Sequence, residues 1–445
     1  MKKIALHLLL WPIFSLMFIY GVFPKCTDYL PVASCTNKVA QDPDEIVVQF
    51  NSKVTDEAIQ QVMGRLKLVK KRTSYKPGKF TVFKNNDPLN SLENIISQLK
   101  KEPFISRVEK NYLAYKAMSP NDKFFSPLQW NFKRIGVERA WDRSTGASVI
   151  VAVLDTGIKQ SLEDLSNTHF VAGYDFINHD NDPTDDEGHG SHVCGTIAQS
   201  TNNHLGVAGI AYHSIIMPLK VLDSDGCGRY TQIADGIYWA VDHGAQIINM
   251  SFSGMNNQGF LKEAIDYAWS HGALLVCAAG NNKSGVPEWP AAYQNCISVS
   301  SSAGNDRPAS YSNFGSTIDL CAPGGDTGDF NNDQYEDMIL QNAFTSSGDG
   351  YYFFAGTSMS AAHVSGVAAL VYSVNPVFSN TLVREILEKS AEDIGAPGKD
   401  SYFGYGMVDA YGAVKLAEKY SRQIFKRQPG GKNMEHRKSS QNYSM

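Results

Sequence analysis

Cysteine is scarce in this chain of 445 residues, which contains seven. No two of the seven form a CxxC pair, so neither a zinc ribbon nor a dithiol redox motif is expected. One or two disulfides are compatible with this number, and the spacing leaves their pairing open. An excess of positive charge is also lacking, because 40 Lys and Arg face 45 Asp and Glu, for a formal net charge of -5. This balance gives no overall basic field, and no nucleic-acid partner is expected.

The composition otherwise indicates a folded protein. Hydrophobic residues make up 43% of the chain and charged residues 19%, which is not the balance of a disordered protein. The length predicts one large domain with a smaller accessory unit.

The amino terminus has the order of an export signal. Lys2 and Lys3 precede an apolar stretch that runs from residue 4 to residue 23. Residues 1–34 are therefore predicted to be a signal peptide, or an uncleaved signal anchor, because the apolar core exceeds the usual upper length of about 15 residues. "VASC" at 32–35 also looks like a bacterial lipid-attachment box, although charged residues separate it from the apolar stretch. A secreted or extracytoplasmic protein is expected, with a membrane-anchored form as the alternative.

Residues 44–115 predict a small α+β unit. Three strands are indicated at 44–51, 79–85 and 105–115, and two amphipathic helices at 56–68 and 91–102. The following stretch is rich in turn formers and lacks periodicity, so it is interpreted as a linker and candidate processing region.

From about Trp130 the pattern changes to that of an α/β domain. Short apolar runs alternate with helical segments, which predicts a mainly parallel sheet that is buried on both faces. Functional residues in such sheets gather at the carboxyl ends of the strands. The last segment, 421–445, is basic, polar and aperiodic, and is predicted to be a disordered tail.

Four residues occupy such positions and complement one another chemically. Asp155 ends an apolar strand, His189 stands between glycines at a predicted helix start, and Ser358 opens a helix of small residues. A serine hydroxyl needs a base to remove its proton, and that base works best when a carboxylate orients it. Asn281, at the end of another strand, has an amide suited to donate to an oxyanion.

Each of these residues also has a purely structural interpretation. Ser358 taken alone is more typical of a helix cap than of a nucleophile. His192 lies three residues after His189 and could pair with it on a metal, but no HExxH pattern or third clustered ligand accompanies the pair. His192 and His363 are therefore interpreted as structural.

Four segments in order, "VAVLDTGI", "GHGSHVCGTIA", "AAGNN" and "GTSMSAAHVSG", resemble the signature segments of the subtilisin family of serine proteases. The order Asp, His, Ser is a feature of that family, and the similarity covers most of residues 125–420. It implies a three-layer α/β fold over 118–420. It also implies that Ser358 is the nucleophile, His189 the general base and acid, and Asp155 its orienting group, with Asn281 in the oxyanion hole. Protein or peptide substrates, no catalytic cofactor and a monomer are expected.

The resemblance also implies a substrate-binding surface. Its expected residues are Ser251, Phe252, Ser253, Gly254, Ala279, Gly280 and Glu288. Ser253 replaces one of two adjacent glycines common in the family, which predicts a narrower first specificity pocket. Glu288 aligns near the floor of that pocket and suggests acceptance of Lys or Arg before the cut, with a solvent-facing loop glutamate as the alternative. Ala362 replaces the usual proline without removing a catalytic atom.

Residues 44–117 resemble the family's inhibitory propeptide, a ferredoxin-like βαββαβ domain, with self-cleavage expected between Tyr115 and Met118. The resemblance further implies structural Ca²⁺. The expected ligands are Asp164, Thr201, Asn203, Leu205 and Val207. A second candidate calcium loop contains Asp329, Asn331, Asp333 and Asp337, with Gln334 in place of the usual turn glycine and a solvated acidic loop as the alternative.

Two other functions are weighed against a zymogen-derived endopeptidase. A non-catalytic binding protein on a protease fold is the main alternative, but all four catalytic positions are filled. A lipase or esterase would require the G-x-S-x-G elbow and the order Ser, acid, His, and neither is present at Ser358.

Overall fold

The computed structural model describes residues 45–51, 54–76, 79–87, 89–111, 119–330 and 334–427. The chain divides into two compact units, Met1–Tyr115 and Lys116–Met445. The predicted signal or anchor segment 1–34, the cleavage region 115–118 and residues 428–445 of the predicted tail lie outside the described residues.

The first unit is a four-stranded antiparallel sheet with two helices. Its elements are β1 (Glu45–Phe50), α1 (Asp56–Arg65), β2 (Leu68–Thr73), β3 (Thr81–Asn85), α2 (Leu92–Leu99) and β4 (Ile105–Lys110). The strand order is β2-β3-β1-β4, and each pairing is antiparallel. Thr55 and Ser91 cap the two helices by accepting from backbone N–H groups of the first turn. The order βαββαβ is the one that the resemblance implies.

Strand β2 was absent from the elements indicated by periodicity. The helix predicted over 56–68 ends at Arg65, and Leu68 already belongs to β2. After Leu68 every residue of this edge strand is exposed, so the strand lacks the alternation that signals a half-buried strand.

The second unit is built around a larger parallel sheet. Its strands are β5 (Ile150–Asp155), β6 (His169–Phe170), β7 (Tyr174–Asp175), β8 (Ile215–Lys220), β9 (Ile247–Met250), β10 (Leu274–Ala278), β11 (Cys296–Ser302) and β12 (Leu320–Pro323). The order is β12-β11-β10-β9-β5-β8-β6, and β7 also pairs with β8. Each of these pairings is parallel, so the predicted mainly parallel sheet is confirmed.

Helices cover both faces of this sheet. They are α3 (Phe125–Leu128), α4 (Trp130–Arg134), α5 (Val137–Trp141), α6 (His189–Ala198), α7 (Tyr230–Asp242), α8 (Gly259–Ser270), α9 (Thr357–Val374), α10 (Asn380–Ser390) and α11 (Ala410–Arg427). Alternate residues of β5 point to opposite sides: Val151 and Val153 join the core formed with α6 and α9, and Ala152 and Leu154 join the core formed with α7 and α8. The result is the three-layer α/β fold predicted from the sequence.

A β-hairpin not anticipated from the sequence precedes the longest buried helix. It consists of β13 (Ile339–Thr345) and β14 (Gly348–Phe354) and leads into α9. Gly188, at the start of α6, has φ +112°, and a Cβ there would collide with the Phe344 carbonyl oxygen of this hairpin. Only glycine fits this close approach.

Helix α11 continues beyond the predicted domain end at residue 420. Residues 421–427, assigned from the sequence to a disordered tail, belong to this helix. Tyr420 and Ile424 pack against the main core, and the Asn375 side chain donates to the Ser421 hydroxyl at 3.1 Å. Apolar residues spaced by four keep the helix docked although its other faces are polar. Within the described part of the chain, no helix combines the length and apolarity needed to cross a bilayer.

Candidate active site

The four predicted catalytic residues stand where strands end and helices begin. Asp155 is the last residue of β5, and Asn281 follows β10 by three residues. His189 is the first residue of α6, and Ser358 is the second residue of α9. Parallel strands direct their carboxyl ends to one edge of a sheet, which explains this clustering.

Asp155 and His189 form a direct contact. His189 Nδ1 lies 2.7 Å from Asp155 Oδ1, which also accepts from the Thr156 backbone N–H at 2.8 Å. Asp155 is fully buried, and the His189 side chain is 26% exposed. Burial opposes charging of the imidazole, but the carboxylates of Asp155, Glu187 and Asp185 outweigh it and raise the pKa of His189 to about 9.

Asp185 is a site residue that the sequence analysis missed. Its buried carboxylate accepts from the Thr156 and Ser191 hydroxyls and from three backbone N–H groups between residues 187 and 191. Asp185 thereby joins the end of β5 to the first turn of α6 and sets the position of His189 relative to Asp155. Its position in a run of acidic residues, at a helix start, was the only signal in the sequence.

Ser358 is buried at the start of α9, and its hydroxyl does not donate to His189. It donates instead to the Ser251 backbone oxygen at 2.8 Å, while the Ser251 hydroxyl donates to the Ser358 carbonyl at 2.9 Å. A serine side chain moves between staggered positions by one rotation about χ1. The structure thus brings Ser358 to the same edge of the sheet as His189 with its hydroxyl turned towards the predicted substrate-binding segment.

The Asn281 amide is oriented by Thr357. Its Oδ1 accepts from the Thr357 backbone N–H at 2.9 Å and from the Thr357 hydroxyl at 2.8 Å. Gly356 lies on its other side, where an added Cβ would be 3.4 Å from Asn281 Nδ2. With the oxygen held in this way, the N–H₂ end is presented beside the start of α9 as a donor. Thr357, which the sequence analysis did not select, is the residue that fixes this orientation.

The other two histidines in these helices are structural, as predicted. His192 is buried, stacks on Phe354 with ring centroids 4.4 Å apart, and contacts the Ile339 carbonyl at 3.0 Å. Burial and the neighbouring His189 lower the pKa of His192 to about 3. His363 is likewise buried, and burial lowers its pKa to about 4. Both remain neutral at physiological pH.

The predicted substrate-binding residues line two neighbouring segments. Gly254 pairs with Trp289 through two backbone hydrogen bonds of 2.8 and 2.9 Å. Ser253 is exposed, Phe252 is partly buried, and Ser251 and Ala279 are buried. The Gly280 N–H donates to the Thr357 hydroxyl at 3.2 Å, which connects this surface to the start of α9.

Glu288 lies at the junction of these two segments. It is 7% exposed, so the interpretation as a solvent-facing loop residue is wrong. Its carboxylate accepts from the Ser253 hydroxyl at 2.5 Å and from the side-chain amides of Asn282 and Asn313 at 2.7 and 2.8 Å. A Cβ at Gly280 would collide with the same carboxylate. Glu288 is therefore a buried acidic group, fixed by hydrogen bonds, that lies against the segment containing Gly280.

Asp164 contacts the loop 200–207, with which it was expected to share a cation site. Asp164 is fully buried, and its carboxylate accepts from Asn203 Nδ2 at 2.6 Å and from the Val207 backbone N–H at 3.0 Å. Burial raises the pKa of Asp164 to about 6, and the nearby Asp122 carboxylate adds to this effect. Asn202 and His204 in this loop adopt left-handed backbone conformations, with φ of 61° and 66°.

Asp122 is a second carboxylate at this loop, and the sequence analysis assigned it to a linker. It is buried and accepts from the Asn202 backbone N–H at 2.9 Å. Burial raises the pKa of Asp122. The two buried carboxylates, with the Asn203 amide beside them, make an oxygen-rich donor set that suits a hard cation. Turning the Asn203 amide by 180° would present its oxygen to the same point.

The second candidate calcium loop is described only in part, because Asn331 and Asp333 lie outside the described residues. Gln334 has φ +76°, so it takes the left-handed conformation that a turn glycine would take. Asp329 accepts from its backbone N–H at 2.9 Å, and Asp337 is buried. Over the residues that the structure covers, no group of three or more His, Cys, Asp or Glu side chains could hold a metal ion.

Comparisons with known proteins agree with the fold. Residues 146–406 match the model of the subtilase family. The chain is 35% identical over 396 residues to the thermophilic serine proteinase of Bacillus sp. strain AK1, covering 88% of this chain and 92% of that protein. It is 37% identical to thermitase of Thermoactinomyces vulgaris, covering 67% of this chain and 99% of thermitase. The solved structure of a protease from Pseudoalteromonas arctica superposes with a TM-score of 0.61 at 34% identity, over 67% of this chain and 100% of that one.

The chain therefore belongs to the subtilase family. It is a subtilisin-like serine endopeptidase, a hydrolase that acts on protein or peptide substrates.

Proposed function

We propose that Asp155, His189 and Ser358 form the catalytic triad of this endopeptidase and that Asn281 belongs to its oxyanion hole. The observation that carries the proposal is the 2.7 Å contact between buried Asp155 and His189 at the sheet edge where α9 presents Ser358. The anchoring of Asn281 by Thr357 on the same helix adds a donor beside the nucleophile. Removal of such a donor costs about 10²- to 10³-fold in turnover.

The chemistry begins when the Ser358 hydroxyl turns from the Ser251 carbonyl to neutral His189. Its oxygen bonds to the peptide carbonyl carbon while Nε2 of His189 takes the proton, and Asp155 offsets the new positive charge. The oxyanion is held by the Asn281 amide and the Ser358 backbone N–H. Collapse breaks the C–N bond as His189 returns the proton to the leaving amine. Water, activated by the same histidine, then releases the acid product and restores the serine.

The enzyme is exported and made as a zymogen in this proposal. Support for export is the order of charged and apolar residues over 1–34. Support for the zymogen is the antiparallel βαββαβ unit at 45–110, whose order matches the one expected of an inhibitory propeptide. Cleavage by the enzyme itself between Tyr115 and Met118 would separate the two units.

Calcium has a structural role in the proposal. The side chains of Asp164, Asp122 and Asn203, with the carbonyls of Thr201, Leu205 and Val207, would hold the ion, and the observation that favours it is the pair of buried carboxylates at one loop. A bound Ca²⁺ would neutralise their repulsion and stabilise the loop. No step of the reaction involves the ion.

One experiment tests both the triad and self-processing. The full chain and its Ser358→Ala variant are expressed in a protease-deficient host, with Ser347→Ala, an exposed serine, as the matched control. We expect the wild type and the control to appear in a shortened form, react with a fluorophosphonate and hydrolyse casein. The Ser358→Ala variant should stay long, remain unlabelled and lose on the order of 10⁴-fold or more in casein hydrolysis.

Three results would contradict parts of this proposal. Labelling or casein hydrolysis by the Ser358→Ala variant would remove Ser358 from its role. The same shortened species in that variant would exclude self-cleavage while leaving the triad intact. A folded wild type that neither reacts nor hydrolyses casein would favour a non-catalytic binding protein.

A further inference from the structure

Helices α10 and α11 border an open groove of about 670 Å³ that none of the proposed roles uses. Its charged lining is entirely basic: Lys389 comes from α10, and Lys415, Lys419 and Arg422 come from α11. All four side chains are exposed. This concentration of positive charge contrasts with the formal net charge of -5 for the whole chain.

The three basic residues of α11 form a continuous stripe. Residues 415, 419 and 422 are separated by four and then three positions, so they follow one another along a single face of the helix, about 5 to 6 Å apart. Lys415 and Lys419 have no ion-pair partner among the residues that the structure describes. Both side chains line the groove.

Additional cations extend the stripe towards α5. The guanidinium of Arg139 lies 3.8 Å from the ring centroid of Tyr411, and Arg143 and Lys415 each lie 5.8 Å from the same centroid. Three cations gathered around one ring raise the local positive potential.

Asp409 lies against Gly412 of the groove, where an added Cβ would be 2.5 Å from its Oδ2. Two further carboxylates pair with the cations of the cluster. Glu418 pairs with Arg143 at 2.5 Å and with Arg422 at 3.4 Å, and Glu385 pairs with Lys389 at 2.6 Å. Both lie beside the groove, and neither pairs with Lys415 or Lys419 within the described residues, so they compensate the basic charge only in part.

We propose that this groove binds a linear polyanion, a chain carrying phosphate, sulfate or carboxylate groups. A row of ammonium groups along a concave surface matches repeated charges on an extended chain, and lysine tolerates different anions because it acts as a point charge. A bilayer is the less suitable partner, because α11 has no exposed large apolar residue between residues 410 and 424 that could enter it.

The groove is remote from the proposed catalytic residues. Helix α9 begins at Thr357 beside the catalytic residues, and its 18 residues span about 27 Å before the chain reaches Asn375, which bonds to Ser421 of α11. A chain bound in the groove would thus leave the substrate-binding segments free. The groove would hold the enzyme on an anionic polymer while it cleaves protein.

The test measures binding of fluorescein-labelled heparin and, separately, labelled polyphosphate to the full protein as a function of salt. A Lys415→Gln, Lys419→Gln, Arg422→Gln triple variant is compared with a Lys123→Gln, Lys133→Gln, Lys262→Gln control, which removes the same charge from exposed positions elsewhere. We expect the groove variant to bind at least about tenfold more weakly at low salt, with a shallower dependence of log K on log salt. The control should bind like the wild type, and casein hydrolysis should be unchanged in both.

Equal affinity of the groove variant and the wild type would overturn the proposal. So would loss of binding only when Lys432, Arg437 and Lys438 are replaced, because the site would then be the tail. Tight binding to phosphatidylglycerol vesicles without binding to either polymer would favour a membrane surface instead. These outcomes do not depend on Ser358, so a failure here and a failure of the triad are distinguishable.

Discussion

His189 is subject to two requirements with opposite pH dependence. In the proposed mechanism catalysis needs the neutral imidazole, whereas the ion pair with Asp155 needs the imidazolium. Because the folded-state pKa of about 9 is raised above the ordinary value near 6.5, the ion pair stabilises the fold fully below about pH 6.5. That contribution is lost as the pH rises through about 9. The rate of proteolysis should rise over the same pH interval in which this stabilisation is lost.

The pH profile of kcat/KM tests this directly. We expect its acid limb to lie well above pH 6.5, because His189 must lose a proton before it can act as a base. Glu187→Gln removes one carboxylate that raises this pKa and should move the limb to lower pH by a fraction of a unit, since Glu187 is exposed and screened. Asp182→Asn, an exposed acid of the same loop, is the control. An acid limb near pH 6.5 in the wild type, or the same acid limb in Glu187→Gln, would contradict the assignment of this limb to His189 with a raised pKa.

Glu288 provides a test of which substrate residue the enzyme prefers immediately before the cleaved bond. Glu288→Gln keeps the size of the side chain and removes its charge, so the Ser253 contact and the pocket shape are retained. If the carboxylate faces the substrate residue before the cut, kcat/KM for a Lys peptide relative to its Phe counterpart should fall about tenfold or more. Glu263→Gln on α8 should leave the ratio unchanged. A strong aromatic preference that Glu288→Gln does not alter would exclude this role.

The loop 200–207 is held from two sides by buried acids, so its stability should depend on what neutralises them. Ligand binding to the folded state raises stability by about 2.7 kcal/mol at a hundredfold excess over Kd. For a domain larger than about 150 residues this is on the order of 5 to 10 °C in the heat-inactivation midpoint. We expect chelator to lower the midpoint of the wild type by this amount and calcium to restore it.

Variants separate the two candidate calcium loops. Asp164→Asn should abolish most of the calcium response, Asp329→Asn should remove only what the second loop contributes, and Asp225→Asn, an exposed acid in another loop, should remove nothing. A wild-type midpoint that is indifferent to both calcium and chelator would count against both loops.

Elements with a strong periodic signal were predictable, and those that depend on distant contacts were not. The apolar runs of β5 and β10 identified buried parallel strands, and with them the positions of Asp155 and Asn281. The sequence did not predict the hairpin β13–β14 because its strands lack a clear alternation of buried and exposed residues. The position of the hairpin depends instead on a distant contact with α6, between Phe344 and Gly188.

Over the whole molecule, the residues that were missed share one property. Asp122, Asp185 and Thr357 each form a side-chain hydrogen bond with a residue at least 29 positions away in the sequence, and such bonds leave no local pattern. The triad could be proposed from the sequence because each member sits in a recognisable segment. The direction of the Ser358 hydroxyl towards Ser251, 107 positions earlier in the chain, could not.

Helix α9 has every residue from Thr357 to Tyr372 buried. The proposed nucleophile thus lies at the end of a buried core helix and not on a surface loop. Such a serine cannot drift while the rest of the protein stays folded, because shifting it means sliding small side chains that are packed on all sides. Local unfolding therefore does not inactivate this site. A preparation that loses activity on storage would contain fully active molecules and unfolded molecules, with few partly active ones.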